Sequence, residues 1–178
     1  MKEADGLRRA VFFDRDGIVN RSPGPGYVEQ WSDFHLMPEF VEALRLVTER
    51  GWEAVIITNQ RGVGRGIMSR AALDDIHARL RAELEARGLP LCDIAVCTAT
   101  DDADPRRKPN PGMLLEMARE HGIDLRRSWM IGDAEKDVIA GRRAGCRTIR
   151  VAPGTPATEA DILVPDMAVL AARLKEIL

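Results

Sequence analysis

The chain has 178 residues, 45% hydrophobic and 30% charged, with a formal net charge of −2 from 26 Lys+Arg against 28 Asp+Glu. That length suits one domain, residues 1–178, whose core needs no disulfide or metal staple, and the composition excludes disordered and fibrous classes. The even charge gives no electrostatic case for a nucleic-acid partner or a membrane surface.

In chain order, short apolar runs alternate with longer helical ones. Residues 10–14 read as a strand buried on both faces, because the apolar run is continuous and bounded by polar residues. Residues 38–50 read as a helix, with Pro38 at its first position, a stripe of Phe40, Val41, Leu44 and Val47, and Gly51 as its stop. Residues 53–58 form a second strand. Ser69 caps a helix to residue 87 that carries Leu73, Ile76, Leu80 and Leu84 on one face.

Residues 93–98 form a third strand. Asn110 and Pro111 cap and open a helix to about residue 122. Residues 129–132 form a fourth strand, 135–144 a helix, 147–151 a fifth strand, and 162–164 an edge strand before a final amphipathic helix at 167–178. This alternation predicts an α/β fold, a doubly wound, mostly parallel sheet with helices on both faces. Residues 21–36 and 99–110 are the longest irregular stretches, which marks both as candidate functional loops.

Cys92, Cys97 and Cys146 are odd in number and scattered, so they suit a reducing compartment and read as small buried hydrophobes. The polar start (residues 1–9) lacks a signal-peptide pattern, and no run approaches a membrane span. A cytoplasmic monomer is the expectation.

Ligands of such sheets bind beyond the carboxyl ends of the strands. There the sequence places Asp14, Arg15, Asp16 and Gly17 after the first strand, and Thr58, Asn59 and Gln60 at the second. Asp133 follows the fourth strand, and Lys108 lies in the loop after the third. Adjacent carboxylates repel unless a cation separates them, so Asp14 and Asp133 favour Mg²⁺. A carboxylate such as Asp14 can attack phosphorus, and Asp16 can protonate the leaving oxygen and then activate water. Thr58 and Asn59 are candidate hydrogen-bond partners for phosphoryl oxygens, with Lys108 neutralising their charge. Asp137, one turn beyond Asp133, can hold Lys108 or a metal-bound water.

Blander readings stand beside these. Asp-Gly is a common turn pair, Thr58-Asn59 suits a strand end, Lys108 suits a solvated loop, and Asp137 suits a helix N-terminus. Arg15, Gln60, Arg65 and Arg107 are weighed as substrate contacts against surface roles. His35, His77 and His121 lie apart; His77 and His121 read as solvated or structural. No GxSxG is present, and the glycine-rich 62–66 stretch lacks a Walker Lys-Ser/Thr. A phospho-accepting regulatory receiver and a phosphoryl transferase are the rival functions.

Asp14-Arg15-Asp16-Gly17, Thr58-Asn59, Lys108 and Gly132-Asp133-Ala134-Glu135-Lys136-Asp137 resemble, in order and spacing, the four motifs of the haloacid dehalogenase superfamily of phosphohydrolases. The resemblance implies a sheet ordered 3-2-1-4-5 without a large cap domain. It also implies an Asp14 nucleophile and an Asp16 general acid/base. A Mg²⁺ held by Asp14, the Asp16 backbone carbonyl and Asp133 completes the expectation, with Asp137 behind it.

The stretches 58–66 (TNQRGVGRG) and 107–113 (RKPNPGM) resemble one branch, which contains heptose-bisphosphate and histidinol-phosphate phosphatases. This likeness spans residues 10–154. It implies a small phosphorylated metabolite as partner, a sugar phosphate first and histidinol phosphate as the alternative. Members of the branch carry a Cys-x-His … Cys-x-Cys zinc loop before the RKP stretch. Here Cys97 is followed by Thr98 and Ala99, and Asp104-Pro105-Arg106 replace the second pair, so the structural Zn²⁺ is expected to be absent.

Overall fold

Strands β1 (Ala10–Phe13), β2 (Glu53–Asn59), β3 (Asp93–Cys97), β4 (Trp129–Gly132), β5 (Arg147–Val151) and β6 (Ile162–Val164) pair in parallel throughout, in the order β3-β2-β1-β4-β5-β6. The structure is a computed structural model that describes residues 6–178; Lys2 and the rest of residues 1–5 lie outside it. The expected order holds, with β6 extending the edge beyond β5.

The helices are α1 (Pro38–Glu49), α2 (Arg61–Gly64), α3 (Arg70–Ala86), α4 (Gly112–His121), α5 (Glu135–Ala144) and α6 (Met167–Ile177). Alternation along β1 divides the core between the two faces of the sheet. Val11 and Phe13 pack with Phe40 and Leu44 of α1, Leu73 and Ile76 of α3, and Leu170 of α6. Ala10 and Phe12 face Met113, Leu114 and Met117 of α4 and Ala140 of α5. Phe13 meets Phe40 edge-on at 5.2 Å, locking the strand that ends at the site.

Ser69 caps α3 as expected, its side chain accepting from Ala72 N at 3.0 Å. Asn110 does not cap α4. Its amide donates to the carbonyls of Asp102 and Asp104 at 3.1 and 2.9 Å, so it ties the preceding loop to itself. Pro111 takes the cap position without a side-chain bond, and the Gly112 amide donates to the Pro105 carbonyl. The glycine-rich 62–66 stretch begins inside the single turn of α2. Among the described residues, no helix is long and apolar enough to cross a membrane. Among the described residues, no large insertion caps the carboxyl edge of the sheet.

Candidate active site

The strand order reverses between β1 and β4, which opens a crevice at their carboxyl ends. Asp14 leaves β1 with its amide bonded to the Ile131 carbonyl at 2.9 Å, and Asp133 leaves β4 beside it. Two glycines make this approach possible. Gly17, at φ +94°, lies where any Cβ would overlap the Asp133 carboxylate, and a Cβ at Gly132 would overlap Asp137.

Lys108 enters from the loop between β3 and α4 and is buried. Its Nζ donates to Asp14 Oδ1 at 2.6 Å and to the Ile57 carbonyl at 2.9 Å. It also pairs with Asp137 Oδ1 at 2.8 Å, off the angle for a hydrogen bond. Asn59 fixes the Lys108 backbone from both sides, donating to its carbonyl at 3.0 Å and accepting from its amide at 3.1 Å. Asp137 Oδ2 accepts from the Ala134 amide at 3.1 Å. Of its two expected tasks, Asp137 performs the first: it holds Lys108. The solvated-loop reading of Lys108 does not survive its burial.

Asp14, Asp133 and Asp137 bring carboxylate oxygens within 4.8 Å of one another. Burial and then the Asp137 charge push the Asp14 carboxyl up to about 7, against the pull of Lys108. The same two causes raise Asp133. Burial works against the Lys108 ammonium, but Asp137 and Asp14 outweigh it and hold its pKa above the ordinary lysine range. Three carboxylates around one ammonium leave an excess of negative charge, which a small divalent cation with oxygen ligands would balance.

The Asp16 carboxylate belongs to a separate network. Its Oδ1 accepts from Arg15 Nε at 3.1 Å, Arg15 Nη2 at 2.9 Å and Asn20 Nδ2 at 3.0 Å, and its Oδ2 from Gln60 Nε2 at 3.1 Å. These bonds occupy Oδ1 three times and Oδ2 once, so the carboxylate is oriented by protein donors while Oδ2 still faces the cleft. Gln60 Nε2 also donates to Thr58 Oγ1 at 2.8 Å, so the Thr58 hydroxyl proton is not spent on Gln60.

One candidate substrate contact, Arg15, needs correction. Arg15 is wholly buried, with its guanidinium bonded to Asp16 and 3.1 Å from His77 Nε2, so it cannot reach a ligand in the cleft. Gln60 lines the cleft, with its Nε2 donating to Asp16 and Thr58 and so bracing both.

Above the acids opens a cleft of about 340 Å³. Arg65 and Arg107 line it as expected. Arg61, Lys136 and Tyr27 also line it, and none was singled out from the sequence. Arg65 Nη1 donates to the Tyr27 hydroxyl at 3.2 Å, while exposed Asp102 joins Arg61 to Arg107. Tyr27 lies in the suspect 21–36 stretch, and its ring packs where a side chain at Gly62 would stand. Lys136 sits inside the Asp133–Asp137 motif itself. Arg61 likewise sits inside the 58–66 stretch, so all three signals were available.

An open parallel sheet with a caged lysine, clustered acids and a cationic rim at its switch point defines an α/β enzyme of phosphoryl chemistry. The HAD-hydrolase-like family profile matches residues 105–176. The chain is 31% identical over 175 residues to a D-glycero-beta-D-manno-heptose-1,7-bisphosphate 7-phosphatase of Pseudomonas aeruginosa, covering 94% of this chain and 98% of that protein. It is 36% identical over 160 residues to a D-glycero-D-manno-heptose-1,7-bisphosphate 7-phosphatase of Thermosynechococcus vestitus, covering 83% and 80%. The crystal structure of D,D-heptose 1,7-bisphosphate phosphatase from B. bronchiseptica, complexed with magnesium and phosphate, matches with a TM-score of 0.84 at 29% identity, covering 94% and 98%. The chain belongs to the haloacid dehalogenase-like hydrolases and is a phosphatase, an enzyme rather than a regulatory receiver.

Proposed function

We propose that the protein hydrolyses a phosphate monoester through an aspartyl-phosphate at Asp14, with D-glycero-D-manno-heptose 1,7-bisphosphate as substrate and its 7-phosphate as the group removed. The observation that carries the mechanism is the Lys108 ammonium held between Asp14 and Asp137 with Asp133 beside them. The donor set fits Mg²⁺: Asp14, Asp133 and the Asp16 carbonyl would hold it, with Asp137 behind. Mg²⁺ there would shield phosphoryl charge and keep open positions for phosphate oxygens and water.

In the first step an Asp14 carboxylate oxygen bonds to phosphorus. The ester P–O bond breaks, and the leaving oxygen takes a proton from Asp16. In the second, water gives a proton to Asp16 as its oxygen attacks phosphorus. Asp14 is then released as carboxylate, and inorganic phosphate leaves. Thr58 donates to the phosphoryl oxygens, and Lys108 offsets their charge. Asn59 serves this step indirectly, by fixing Lys108.

The substrate assignment rests on the relatives' activity and on the rim. Arg61, Arg65, Arg107 and Lys136 surround an open cleft, which suits a second phosphate on a flexible sugar. The reading of a lost structural zinc rests on the missing Cys-x-His and Cys-x-Cys pairs in the loop before Lys108. The Cys97 thiol lies 3.9 Å from Asp104 Oδ1, and among the described residues no metal-capable cluster includes residues 97–110. We read the chain as one cytoplasmic domain acting as a monomer. One continuous sheet and three free cysteines support that reading.

The test is a Mg²⁺-supplemented panel of heptose bisphosphates, histidinol phosphate and common sugar phosphates ranked by kcat/KM. D-glycero-D-manno-heptose 1,7-bisphosphate should rank first and lose its 7-phosphate. Preference for histidinol phosphate would overturn the substrate assignment. Phosphate passed to a sugar faster than to water would replace hydrolysis with transfer.

A further inference from the structure

His77 has no part in the mechanism above, yet it is buried in α3 with its ring against the site's most enclosed cation. Arg15 is 0% exposed, and each edge of its guanidinium is committed. Nε and Nη2 donate to Asp16 Oδ1, Nη1 lies 3.1 Å from His77 Nε2, and the guanidinium sits 5.8 Å from the centroid of the Phe34 ring. Arg15 carries only donors, so this contact requires His77 Nε2 to accept, with the ring proton on Nδ1. Burial and then Arg15 depress the His77 pKa to about 3, so the ring is neutral at physiological pH.

Follow the donors onto Asp16. Oδ1 receives three, two from Arg15 and one from Asn20. Oδ2 receives one, from Gln60, and keeps an unfilled lone pair on a side chain that lines the cleft. The two oxygens are therefore not equivalent, and the Arg15 fork sets the difference. A fork with a free third edge would pivot about the Asp16 carboxylate; His77 closes that edge.

We infer that His77 is a positioning residue for acid catalysis: through Arg15 it fixes the Asp16 carboxylate so that Oδ2 is the oxygen that passes a proton to the leaving group. This rests on the hydrolytic reading above, in which the ester P–O bond breaks and its oxygen takes the Asp16 proton. Leaving-group chemistry separates the role from a merely structural one. A sugar alkoxide is a poor leaving group and needs the proton; p-nitrophenolate leaves without it.

The experiment compares His77→Leu and His77→Asn with His77→Gln, whose amide oxygen can still accept from Arg15. Each is assayed with Mg²⁺ on the heptose bisphosphate and on p-nitrophenyl phosphate. Read in a single turnover, where only the first step is seen, release of the sugar by the Leu and Asn variants should slow about ten-fold or more while release of p-nitrophenolate stays within about two-fold. His77→Gln should recover most of the loss. Equal loss on both esters, or no loss on either, in whichever of the Leu and Asn variants folds overturns the inference. Failure of the parent enzyme to hydrolyse either ester overturns the hydrolytic reading instead.

Discussion

The floor of the cleft and its rim are built by different means. Floor residues Asp14 and Asp133 leave adjacent strands whose register is fixed, and Gly17 and Gly132 press against the acids behind them. Lys108 is on a loop but is gripped at five points: Asn59 twice, Asp14, Asp137 and the Ile57 carbonyl. The rim is looser. Arg65 is exposed and touches Tyr27, Lys136 is exposed, and Arg61 and Arg107 are joined by an Asp102 that is itself exposed. A reaction needs its charges within fractions of an ångström, whereas a second phosphate needs only a positive field with a few movable donors. On the proposed function, the contrast separates chemistry from selectivity.

Breaking the floor should have the largest effect. Asp14→Asn should lower Mg²⁺-dependent phosphate release by about 10⁴-fold or more while leaving the circular dichroism spectrum intact, since the nucleophile has no substitute. Retained turnover in that variant would remove Asp14 from its role. Lys108→Met comes next. It strands the buried Asp14 and Asp137 charges without their counter-ion, so urea denaturation of the metal-free protein should show a loss of about 3–5 kcal/mol.

The rim predicts a different signature. Arg107→Ala should raise KM for the bisphosphate about ten-fold and leave kcat within about two-fold, because it removes one charge-assisted contact away from the reacting phosphorus. With p-nitrophenyl phosphate, which has no second phosphate, KM should hardly move. A fall in kcat on both substrates would place Arg107 in the floor and erase the distinction.

The smallest effect lies behind the floor and concerns pH. His77 is neutral in the fold down to about 3, but an unfolded histidine takes up a proton near its ordinary value of 6.5. Between these values the unfolded state binds the extra proton, so this contribution is complete above 6.5 and is lost as pH falls toward 3. His77→Gln should therefore lose less stability than the parent between pH 7 and pH 4.5, measured as urea midpoints. Parallel losses in the two proteins would show that His77 is not held neutral.

Much of this was readable from residue order. The apolar runs at 10–13, 53–59 and 129–132 end in polar residues that chemistry requires, and a strand end has one direction in a parallel sheet, so Asp14, Thr58 and Asp133 had to converge. Ser69 and Gly51 marked helix ends through local backbone rules that no distant contact overrides. Those signals are short in range, and the sequence alone sufficed for them. The partners of Arg15 were not readable. Its neighbours in sequence suggested a hand for the substrate, while α3, more than fifty residues on, supplies the His77 that turns it inward. Asn110 likewise resembled a cap until the Asp102 and Asp104 carbonyls claimed its amide. Which of two available donors or acceptors a polar side chain takes depends on what the fold brings within 3 Å. The sequence by itself determined the sheet and the acids that meet at its switch point. The tertiary structure alone decided which charges face the substrate and which are buried to hold the others in place.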